Sequence, residues 1–550
     1  MLWNGKKIPT PAPGTTAGTL LTEYDSAHAA DFAAANLDGE IHDLQNPVDG
    51  CQVITYFPLA SKEGWDVYRR SVVFLLITAV HELDATAEVK VDFSANKGLF
   101  IEVCLGKRTL TQEDVTRIED RMRAIVQEDR PIVKSFLPRD EAAERFRRVN
   151  SLEKANLIAA MRRDIVSIYR CGDYEDYLYG AMLGRTGVLG KFALDFYAPG
   201  LLLRTPSLTS GGEVPAAVPQ PKLSHVLLEA KRWADILHCD YVSDLNRLNR
   251  TGQIGDVIRI SEALQEKKLA EIADHIAKRS DELRLVLIAG PSSSGKTSFA
   301  QRLRIQLRVN GLEPVSISLD DYFRNRADTP RTPEGAYDFE ALEALDVPLF
   351  NQQMVALLKG EEVKLPYYNF LTGEREWGHY DPLAITPKQP IIIEGIHGLN
   401  EALSAAVPRR NKYKIYVSAL TQLNIDAHNR IPTTGARLMR RLVRDYQFRG
   451  ATALKTLRQW PDVRRGEERN IFPFQEEADV MFNSALIYEL GILKKYAKPL
   501  LEVVPVEAPE HVLARQLLDF CQYFDDIEAE DEVPNNSLLR EFIGKSVFFK

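Results

Sequence analysis

The sequence lacks the features of a secreted or membrane-spanning protein. Its five cysteines are scattered and form no CxxC pair, which argues against a disulfide framework and against a cysteine zinc site. The longest apolar run, residues 71–80, is far shorter than the roughly 20 residues that a membrane-spanning helix needs. The first residues carry no signal-peptide hydrophobic segment. We therefore expect a soluble, cytoplasmic protein with no membrane association.

The sequence is also short of positive charge and of repeats. Its net charge of −8 argues against a general nucleic-acid or membrane-surface binder, although local basic patches remain open. No repeat of fixed period is present. At 550 residues the chain is too long for one hydrophobic core, so several domains are expected.

Changes in composition and hydrophobic pattern predict five segments. Turn dipeptides and a strand-like run mark a β-rich start, and a Pro-, Ser- and Gly-rich stretch at 205–222 indicates a linker. The acidic run at 525–532 is expected to be a solvated surface. The predicted segments are a β-rich module (1–62), an α+β domain (63–205), a linker and helical connector (206–282), an α/β domain (283–506) and a C-terminal tail (507–550).

The segment from residue 283 alternates short apolar runs with amphipathic helices. This pattern predicts an α/β fold in which a parallel sheet is covered by helices on both faces, with ligands at the carboxyl ends of the strands. The predicted strands are 284–289, 314–319, 390–393, 413–417 and 500–504.

The strongest motif follows the first of these strands. The sequence GPSSSGKT matches the phosphate-binding pattern GxxxxGK[ST], and an amphipathic helix comes next. Backbone N–H groups at such a helix start converge on anions, so we predict an ATP site. Lys296 is expected to reach the β- and γ-phosphates, and the Thr297 hydroxyl to bind Mg²⁺. The predicted ATP-binding residues of this loop are Gly290, Pro291, Ser292, Ser293, Ser294, Gly295, Lys296, Thr297 and Ser298.

Two further carboxylates are predicted at the same sheet edge. Asp320 and Asp321 end the second strand, and Glu394 ends the third. A carboxylate is needed to accept the proton of a hydroxyl substrate, and we assign this role to Asp320. The alternative is that one of the two aspartates only caps a helix or orders Mg²⁺ through water. Glu394 is predicted to hold Mg²⁺, with a structural role at the strand end as its alternative.

A basic stretch follows between residues 433 and 470. It holds ten Lys or Arg against four acids, a local excess of six positive charges that requires a partner. Arg441 and Arg444 lie three residues apart and share a helix face. We predict that they form a lid over the transferring phosphoryl group. A solvated basic helix and an RNA-facing patch are the alternatives.

With these motifs in place, residues 283–506 resemble the uridine kinase and phosphoribulokinase family. The motifs YDFE and PYYNF are similar to the uridine-cytidine kinase branch. The resemblance implies that Glu340 binds ribose hydroxyls and that Arg449 is a further lid arginine on the nucleotide. It also implies a nucleoside surface that contains Asp320, Tyr322, Phe339, Tyr368, Phe370 and Arg441. Thr372-Gly373 replaces a histidine that uridine kinases carry, and Ala451 replaces a lid arginine.

The N-terminal half resembles the front of threonyl-tRNA synthetase, with residues 1–62 similar to its TGS domain. In that family the next domain carries HxxxH and CxxxH motifs. Here the four positions are Arg70, Phe74, Leu178 and Met182, and these side chains cannot build an imidazole and thiolate site. We interpret this half as a retained fold without that chemistry. A regulatory module, an RNA-binding module and a dimerisation module all remain open.

The sequence thus predicts an ATP-dependent nucleoside kinase that acts on a 5′-hydroxyl, with uridine or cytidine as the expected acceptor. Its catalytic residues would be Asp320, Lys296, Arg441 and Arg444, and it would use ATP and Mg²⁺. One alternative is a kinase of another small hydroxyl compound, such as a phosphosugar or a pantothenate-like molecule. Another is an ATP-binding regulatory protein that binds tRNA. We also expect a homo-oligomer.

Overall fold

The computed structural model describes residues 1–95, 97–106, 108–161, 163–332, 335 and 337–549. The chain starts with a five-stranded sheet in the order β2-β1-β5-β3-β4. Asp38 and Gly39 adopt positive φ angles of 50° and 95° and join the antiparallel pair β3 and β4, as the turn dipeptide predicted. The elements are β1 (Leu2–Trp3), β2 (Lys6–Lys7), α1 (Ala17–Tyr24), β3 (Phe32–Leu37), β4 (Glu40–His42) and β5 (Val53–Pro58).

The next region packs two antiparallel sheets around a long, largely buried helix. The sheet orders are β11-β12-β7-β6 and β10-β9-β8. Ser61 caps the central helix α2 by accepting a hydrogen bond from the Gly64 N–H at 3.0 Å. The elements are α2 (Lys62–Leu83), β6 (Glu88–Ala95), β7 (Gly98–Cys104), α3 (Gln112–Glu128), β8 (Val133–Pro138), α4 (Arg139–Arg148), α5 (Leu152–Ala160), β9 (Ile165–Cys171), β10 (Tyr174–Asp176), β11 (Ala193–Tyr197) and β12 (Gly200–Arg204).

An irregular segment and three helices then connect to the second half of the chain. Pro221 occupies the first turn of the first of these helices, where its missing N–H costs nothing. The three helices are α6 (Pro221–Leu237), α7 (Val242–Arg250) and α8 (Ile254–Lys278).

The second half is built on a parallel sheet in the order β14-β17-β13-β18-β19. The elements are β13 (Leu285–Ala289), α9 (Lys296–Val309), β14 (Val315–Ser318), α10 (Val347–Leu358), β15 (Pro366–Asn369), β16 (Glu374–Trp377), β17 (Ile391–Glu394), β18 (Lys412–Ser418), α11 (Thr433–Arg449), α12 (Ala453–Asn470), β19 (Val480–Asn483), α13 (Glu489–Glu502), α14 (His511–Cys521) and α15 (Arg540–Ile543).

The central strand β13 shows why both faces of this sheet are covered. Val286 and Ile288 pack with α8 and α9, whereas Leu285 and Leu287 pack on the other face with α10. Successive side chains of a strand point to opposite faces, so an unbroken apolar run must be buried on both sides. The predicted parallel sheet with helices on both faces is confirmed.

One predicted strand is wrong. Residues 500–504 end helix α13, and the fifth strand is β19. Leu493, Ala497 and Leu501 recur at a spacing of four and form the buried face of α13. The short run LLEVV is apolar enough for a strand, and periodicity over five residues cannot separate the two structures.

The C-terminal residues pack against the rest of the chain, although four of the six acids at 525–532 are exposed, as expected of a solvated surface. Arg250 pairs with Asp525 at 2.7 Å, and Lys495 pairs with Glu528 at 2.6 Å. Leu538 and Phe542 are fully buried. The acids at 525–532 are therefore partly neutralised by bases that are distant in sequence, and local composition cannot reveal such pairs.

The two halves of the chain meet at a loop between β18 and α11. The Val91 N–H donates to the Ala427 carbonyl at 2.8 Å, and the Asn429 amide donates to the Tyr177 carbonyl at 3.1 Å. Asp176 of β10 accepts hydrogen bonds from Lys154 and His428 in the same contact. Within the part of the chain that the structure describes, no helix has both the length and the apolarity to cross a membrane.

Candidate active site

The loop between β13 and α9 has the backbone geometry that an anion site requires. A Cβ at Gly290 would overlap the Val417 carbonyl oxygen, and Gly295 has a φ of 81°. Both positions therefore need glycine. The hydroxyls of Ser293 and Ser294 are buried and make no hydrogen bond within the described residues. Such orphaned donors are costly unless a ligand satisfies them, so the loop fits a bound phosphate chain.

Lys296 lies at the start of α9 and turns back over the loop. Its Nζ donates to the carbonyls of Gly290 at 2.9 Å and Pro291 at 3.1 Å. Burial lowers the pKa of Lys296, while the carboxylates of Glu394 and Glu541 oppose that shift. The ammonium group is therefore held beside the loop, where an incoming phosphate would meet it.

Thr297 and Glu394 are brought together, as their shared prediction as Mg²⁺ ligands requires. The Thr297 hydroxyl lies 3.1 Å from each Glu394 carboxylate oxygen. Burial raises the pKa of Glu394 to about 7, and Lys296 acts against that shift. One hydroxyl and one carboxylate suit Mg²⁺, which keeps several waters and takes few protein oxygens.

Asp320 and Asp321 have different surroundings. Asp321 accepts hydrogen bonds from the Tyr368 N–H at 3.4 Å and the Tyr380 hydroxyl at 3.1 Å. The Asp320 carboxylate opens into the cleft and accepts no hydrogen bond from the described residues. The cleft walls desolvate Asp320 and raise its pKa, against the attraction of Lys296 and Arg449. Asp321 thus supports the fold, whereas Asp320 is available to a substrate.

The predicted lid arginines share a carboxylate that the sequence did not single out. Arg441, Arg444 and Arg449 lie 3.2, 2.9 and 3.6 Å from the buried Asp445. Arg441 also donates to the Ser292 hydroxyl at 2.7 Å and so bridges α11 to the loop. This arrangement gathers three guanidinium groups at the mouth of the phosphate site.

The local excess of positive charge does not by itself require a ligand. Protein carboxylates pair with nine of the ten bases, and several of these acids lie outside the segment, such as Glu489, Glu510 and Asp338. The paired bases are Arg437, Arg440, Arg441, Arg444, Arg449, Arg458, Arg464, Arg465 and Arg469. A count of charges within one segment does not include acids from other parts of the fold. The prediction that the excess of positive charge at 433–470 requires a ligand is therefore corrected.

The aromatic residues that were predicted to face the nucleoside form one surface. Phe370 is 61% exposed and Phe339 is 36% exposed, while Tyr368 is buried beneath them. Phe323 joins all three, with ring centroids at 6.3, 6.1 and 5.4 Å, and sequence reasoning missed it. Tyr322 is a correction: it is fully buried and donates to the Gln353 side chain at 2.8 Å. Its ring fills the core under α10 and does not reach the cleft.

Glu340 stands between this surface and the lid. Burial and the neighbouring Glu467 raise its pKa to about 7, while Arg441 and Lys296 lower it. A Cβ at Gly466 of α12 would lie 2.8 Å from the Glu340 side chain. Asn470 donates to the Glu340 carbonyl at 2.6 Å. The helix α12 therefore positions Glu340 through one glycine and one amide.

Two further carboxylates contact the phosphate loop, and sequence reasoning missed both. Glu467 accepts a hydrogen bond from the Ser292 N–H at 2.9 Å. Glu541 accepts from the Ser298 N–H at 3.2 Å and from the Ser298 hydroxyl at 2.8 Å. Neither residue belongs to a phosphate-site motif, and both are far from the loop in sequence, so no local signal could have identified them.

The positions of the synthetase-like motifs lie in the hydrophobic core. Phe74, Leu178 and Met182 are buried in one cluster. Arg70 donates to the Ala181 carbonyl at 2.5 Å and lies against Gly180. Three of the four side chains therefore pack in the core, and the fourth, Arg70, donates a hydrogen bond to the backbone.

Known proteins are similar to two different parts of the chain. Residues 285–487 match the Phosphoribulokinase / Uridine kinase family. This match confirms the resemblance of the second half to that family, and it contains the phosphate loop, Asp320, Glu394 and the lid arginines. A "possible uridine kinase" from Bacillus stearothermophilus is 19% identical, with a TM-score of 0.26, over 39% of this chain and 100% of that chain. At that TM-score the likeness says nothing about substrate.

The N-terminal half is similar to threonine–tRNA ligases. The ligase of Acidithiobacillus ferrooxidans is 32% identical over 184 residues, which are 33% of this chain and 28% of the ligase. The ligase of Aquifex aeolicus is 29% identical over the same number of residues and the same shares. This chain therefore spans little more than a quarter of the length of these relatives.

Proposed function

We propose that the second half of the chain is an ATP-dependent kinase that phosphorylates the 5′-hydroxyl of a nucleoside. The observation that carries the proposal is the surroundings of Asp320. Its carboxylate accepts no hydrogen bond from the described residues and lies within electrostatic reach of Lys296, and Phe323, three residues further on, contacts Phe339 and Phe370. A donor site and a flat apolar acceptor site on either side of one carboxylate are what a nucleoside kinase needs. The family match supports phosphoryl transfer and leaves the acceptor open.

The proposal assigns one role to each of the residues around this site. Asp320 accepts the proton of the acceptor hydroxyl as the new O–P bond forms and the bond from the γ-phosphorus to the β–γ bridging oxygen breaks. Lys296, Arg441 and Arg444 stabilise charge on the transferring group. Thr297 and Glu394 would hold Mg²⁺, which supplies charge neutralisation at the phosphates. Glu340 is placed to accept hydrogen bonds from ribose hydroxyls.

The arginines near the aromatic surface differ in how their charge is balanced. Arg375 pairs with the Asp346 carboxylate at 2.9 Å. Arg326 and Arg331 donate to the carbonyls of Phe370 at 3.1 Å and Gly335 at 2.8 Å and form no ion pair with the described residues. A phosphorylated sugar would need such a cation, because burying an unpaired dianion is costly. The acceptor panel therefore includes a phosphopentose.

One observation favours a second candidate, a kinase whose acceptor is not a pyrimidine nucleoside. The Arg326 guanidinium packs 2.6 Å from the place where a Cβ at Gly373 would lie. The pocket wall at this point is therefore an arginine side chain that also holds the Phe370 backbone. Such a wall alters which bases or other hydroxyl compounds fit.

The test is ADP release from Mg·ATP across a panel of pyrimidine nucleosides, purine nucleosides, a phosphopentose and pantothenate. The proposal expects a nucleoside to give a kcat/KM at least about tenfold above the phosphopentose. The Asp320→Asn variant, measured in parallel, controls for contaminating kinases. Turnover of the phosphopentose or pantothenate with no turnover of any nucleoside would overturn the nucleoside assignment. ATP binding without turnover of any acceptor would favour the regulatory alternative.

A further inference from the structure

The C-terminal segment at 537–544 is fixed against the phosphate loop. The Leu538 side chain lies 3.6 Å from the place where a Cβ at Gly295 would be. The Arg440 guanidinium of α11 lies 4.9 Å from the Phe542 ring centroid. Ser537 donates to the Glu262 carboxylate of α8 at 2.5 Å. The backbone of the segment is thus anchored on the loop, the lid helix and the connector.

This anchoring brings one carboxylate onto the start of α9. Glu541 accepts hydrogen bonds from both the N–H and the hydroxyl of Ser298, the third residue of the helix. The first N–H groups of a helix have no partner inside the helix, and they attract anions. Glu541 is half-buried, and no cation of the described chain forms an ion pair with it. Its counter-charge is therefore the helix start together with the Lys296 ammonium, which lies within electrostatic reach but forms no ion pair with it.

Glu467 shows the contrast. It also accepts from a backbone N–H of the loop, but Arg437 and Arg464 neutralise it. A carboxylate that is held by two arginines is part of the framework of the lid. Among the described residues, Glu541 accepts hydrogen bonds from Ser298 alone and forms no ion pair, so its contact can be exchanged for another anion at lower cost.

We propose that Glu541 is an internal competitor of ATP, a carboxylate that occupies a phosphate position at the start of α9 until nucleotide displaces it. The same two Ser298 donors cannot serve a carboxylate and a phosphate oxygen together, and the two anions repel each other at hydrogen-bond distance. The buried Leu538 and Phe542 hold the backbone, so displacement is a swing of the Glu541 side chain. The inference rests on the proposed function only for the binding of ATP at this loop.

The test is Mg·ATP binding by calorimetry, without an acceptor, to the full chain and its variants. A site that is occupied by an internal competitor binds ligand more weakly in proportion to the fraction that is open. Glu541→Gln is expected to bind ATP about tenfold more tightly than the unsubstituted chain. Glu541→Asp keeps the charge but shortens the reach to Ser298, and it is expected to bind several-fold more tightly. Asp531→Asn removes an exposed negative charge that precedes this segment and is the matched control, expected to be unchanged.

Equal or weaker ATP binding by Glu541→Gln would overturn the inference. A gain in Asp531→Asn as large as that in Glu541→Gln would also overturn it, because general charge would then explain the effect. If no form of the chain bound ATP, the proposed function would fail instead. Should the Glu541 variants not fold, a crystal structure of the unsubstituted chain with Mg·ATP decides: the Glu541 carboxylate should lie beyond hydrogen-bond distance of the Ser298 N–H and hydroxyl. A Glu541–Ser298 hydrogen bond that persists with ATP bound would contradict displacement.

Discussion

The two halves of this chain treat their candidate sites in opposite ways. In the second half, the exposed Asp320 carboxylate accepts no hydrogen bond from the described residues, and the hydroxyls of Ser293 and Ser294 are buried without a partner among them. In the first half, Leu178 and Met182 stand where the synthetase family has the cysteine and histidine of its CxxxH motif, and both belong to a hydrophobic core. Unsatisfied polar groups are costly in a folded protein. The difference therefore indicates that a ligand completes the second site, while the first has become part of the scaffold.

The largest expected effect is a loss of kcat from a substitution in the second-half site. Asp320→Asn removes the proposed proton acceptor and is expected to lower kcat by about 10²–10⁴-fold, measured as nucleoside-dependent ADP release. Asp321→Asn is the matched control and is expected to lose far less, because that carboxylate contacts the Tyr368 N–H and Tyr380. Equal losses of kcat in the two variants would contradict separate roles for Asp320 and Asp321. A larger loss in Asp321→Asn would make Asp321 the proton acceptor.

The next effect concerns the first half and should appear in stability. Leu178→Ala leaves a cavity in the core and is expected to lower the free energy of unfolding by about 2–5 kcal/mol, measured by urea denaturation. The kcat of the folded fraction should stay unchanged, because Leu178 lies in the core of the first half. A variant with normal stability and altered kcat would show that these positions are functional.

A smaller effect separates the acceptor side of the cleft from the ATP side. Gly466→Ala places a methyl group 2.8 Å from the Glu340 side chain and is expected to raise the acceptor KM by about tenfold, equivalent to about 1.4 kcal/mol. The KM for ATP should hardly change in the same initial-rate assays. Gly435→Ala is the control, since a Cβ at Gly435 of α11 meets nothing within 4 Å. A rise in the KM for ATP without a rise in the KM for the acceptor would show that Gly466 affects the ATP side of the site, which would contradict the account.

The smallest effect is a dependence of stability on pH. The pKa of Glu340 is raised to about 7 from an ordinary value of 4.5, so the folded chain keeps a proton that the unfolded chain loses between these values. Stability from this group is therefore lost as the pH rises from about 4.5 to about 7. Glu340→Gln should remove that loss and raise Tm relative to the unsubstituted chain at pH 8, by no more than about 4 °C. If the Tm difference between Glu340→Gln and the unsubstituted chain were the same at pH 5 and at pH 8, the result would contradict the raised pKa of Glu340.

Local sequence was sufficient for the parts of the molecule that local physics determines. The three strands that carry the phosphate loop, Asp320 and Glu394, and the strand β18 beside them, follow from apolar runs between helices. The pairing of Thr297 with Glu394 follows from the shared edge of parallel strands.

Contacts between distant parts of the chain could not be predicted in this way. Asp445, Glu467 and Glu541 reach the site from positions without a motif. The role of Tyr322 was wrong because its place after a strand does not reveal that its ring turns into the core. The prediction of a homo-oligomer and the role of the first half stay predictions.

The central claim is that this chain has one working site, and it lies in the second half. The most direct measurement uses a single preparation of the full chain in two parallel assays: nucleoside-dependent ADP formation from Mg·ATP, and hydrolysis of an aminoacyl-tRNA ester. The account predicts nucleoside-dependent ADP formation that Asp320→Asn abolishes, with ester hydrolysis no faster than without protein. Ester hydrolysis by the full chain, or the absence of any nucleoside-dependent ADP, would contradict it.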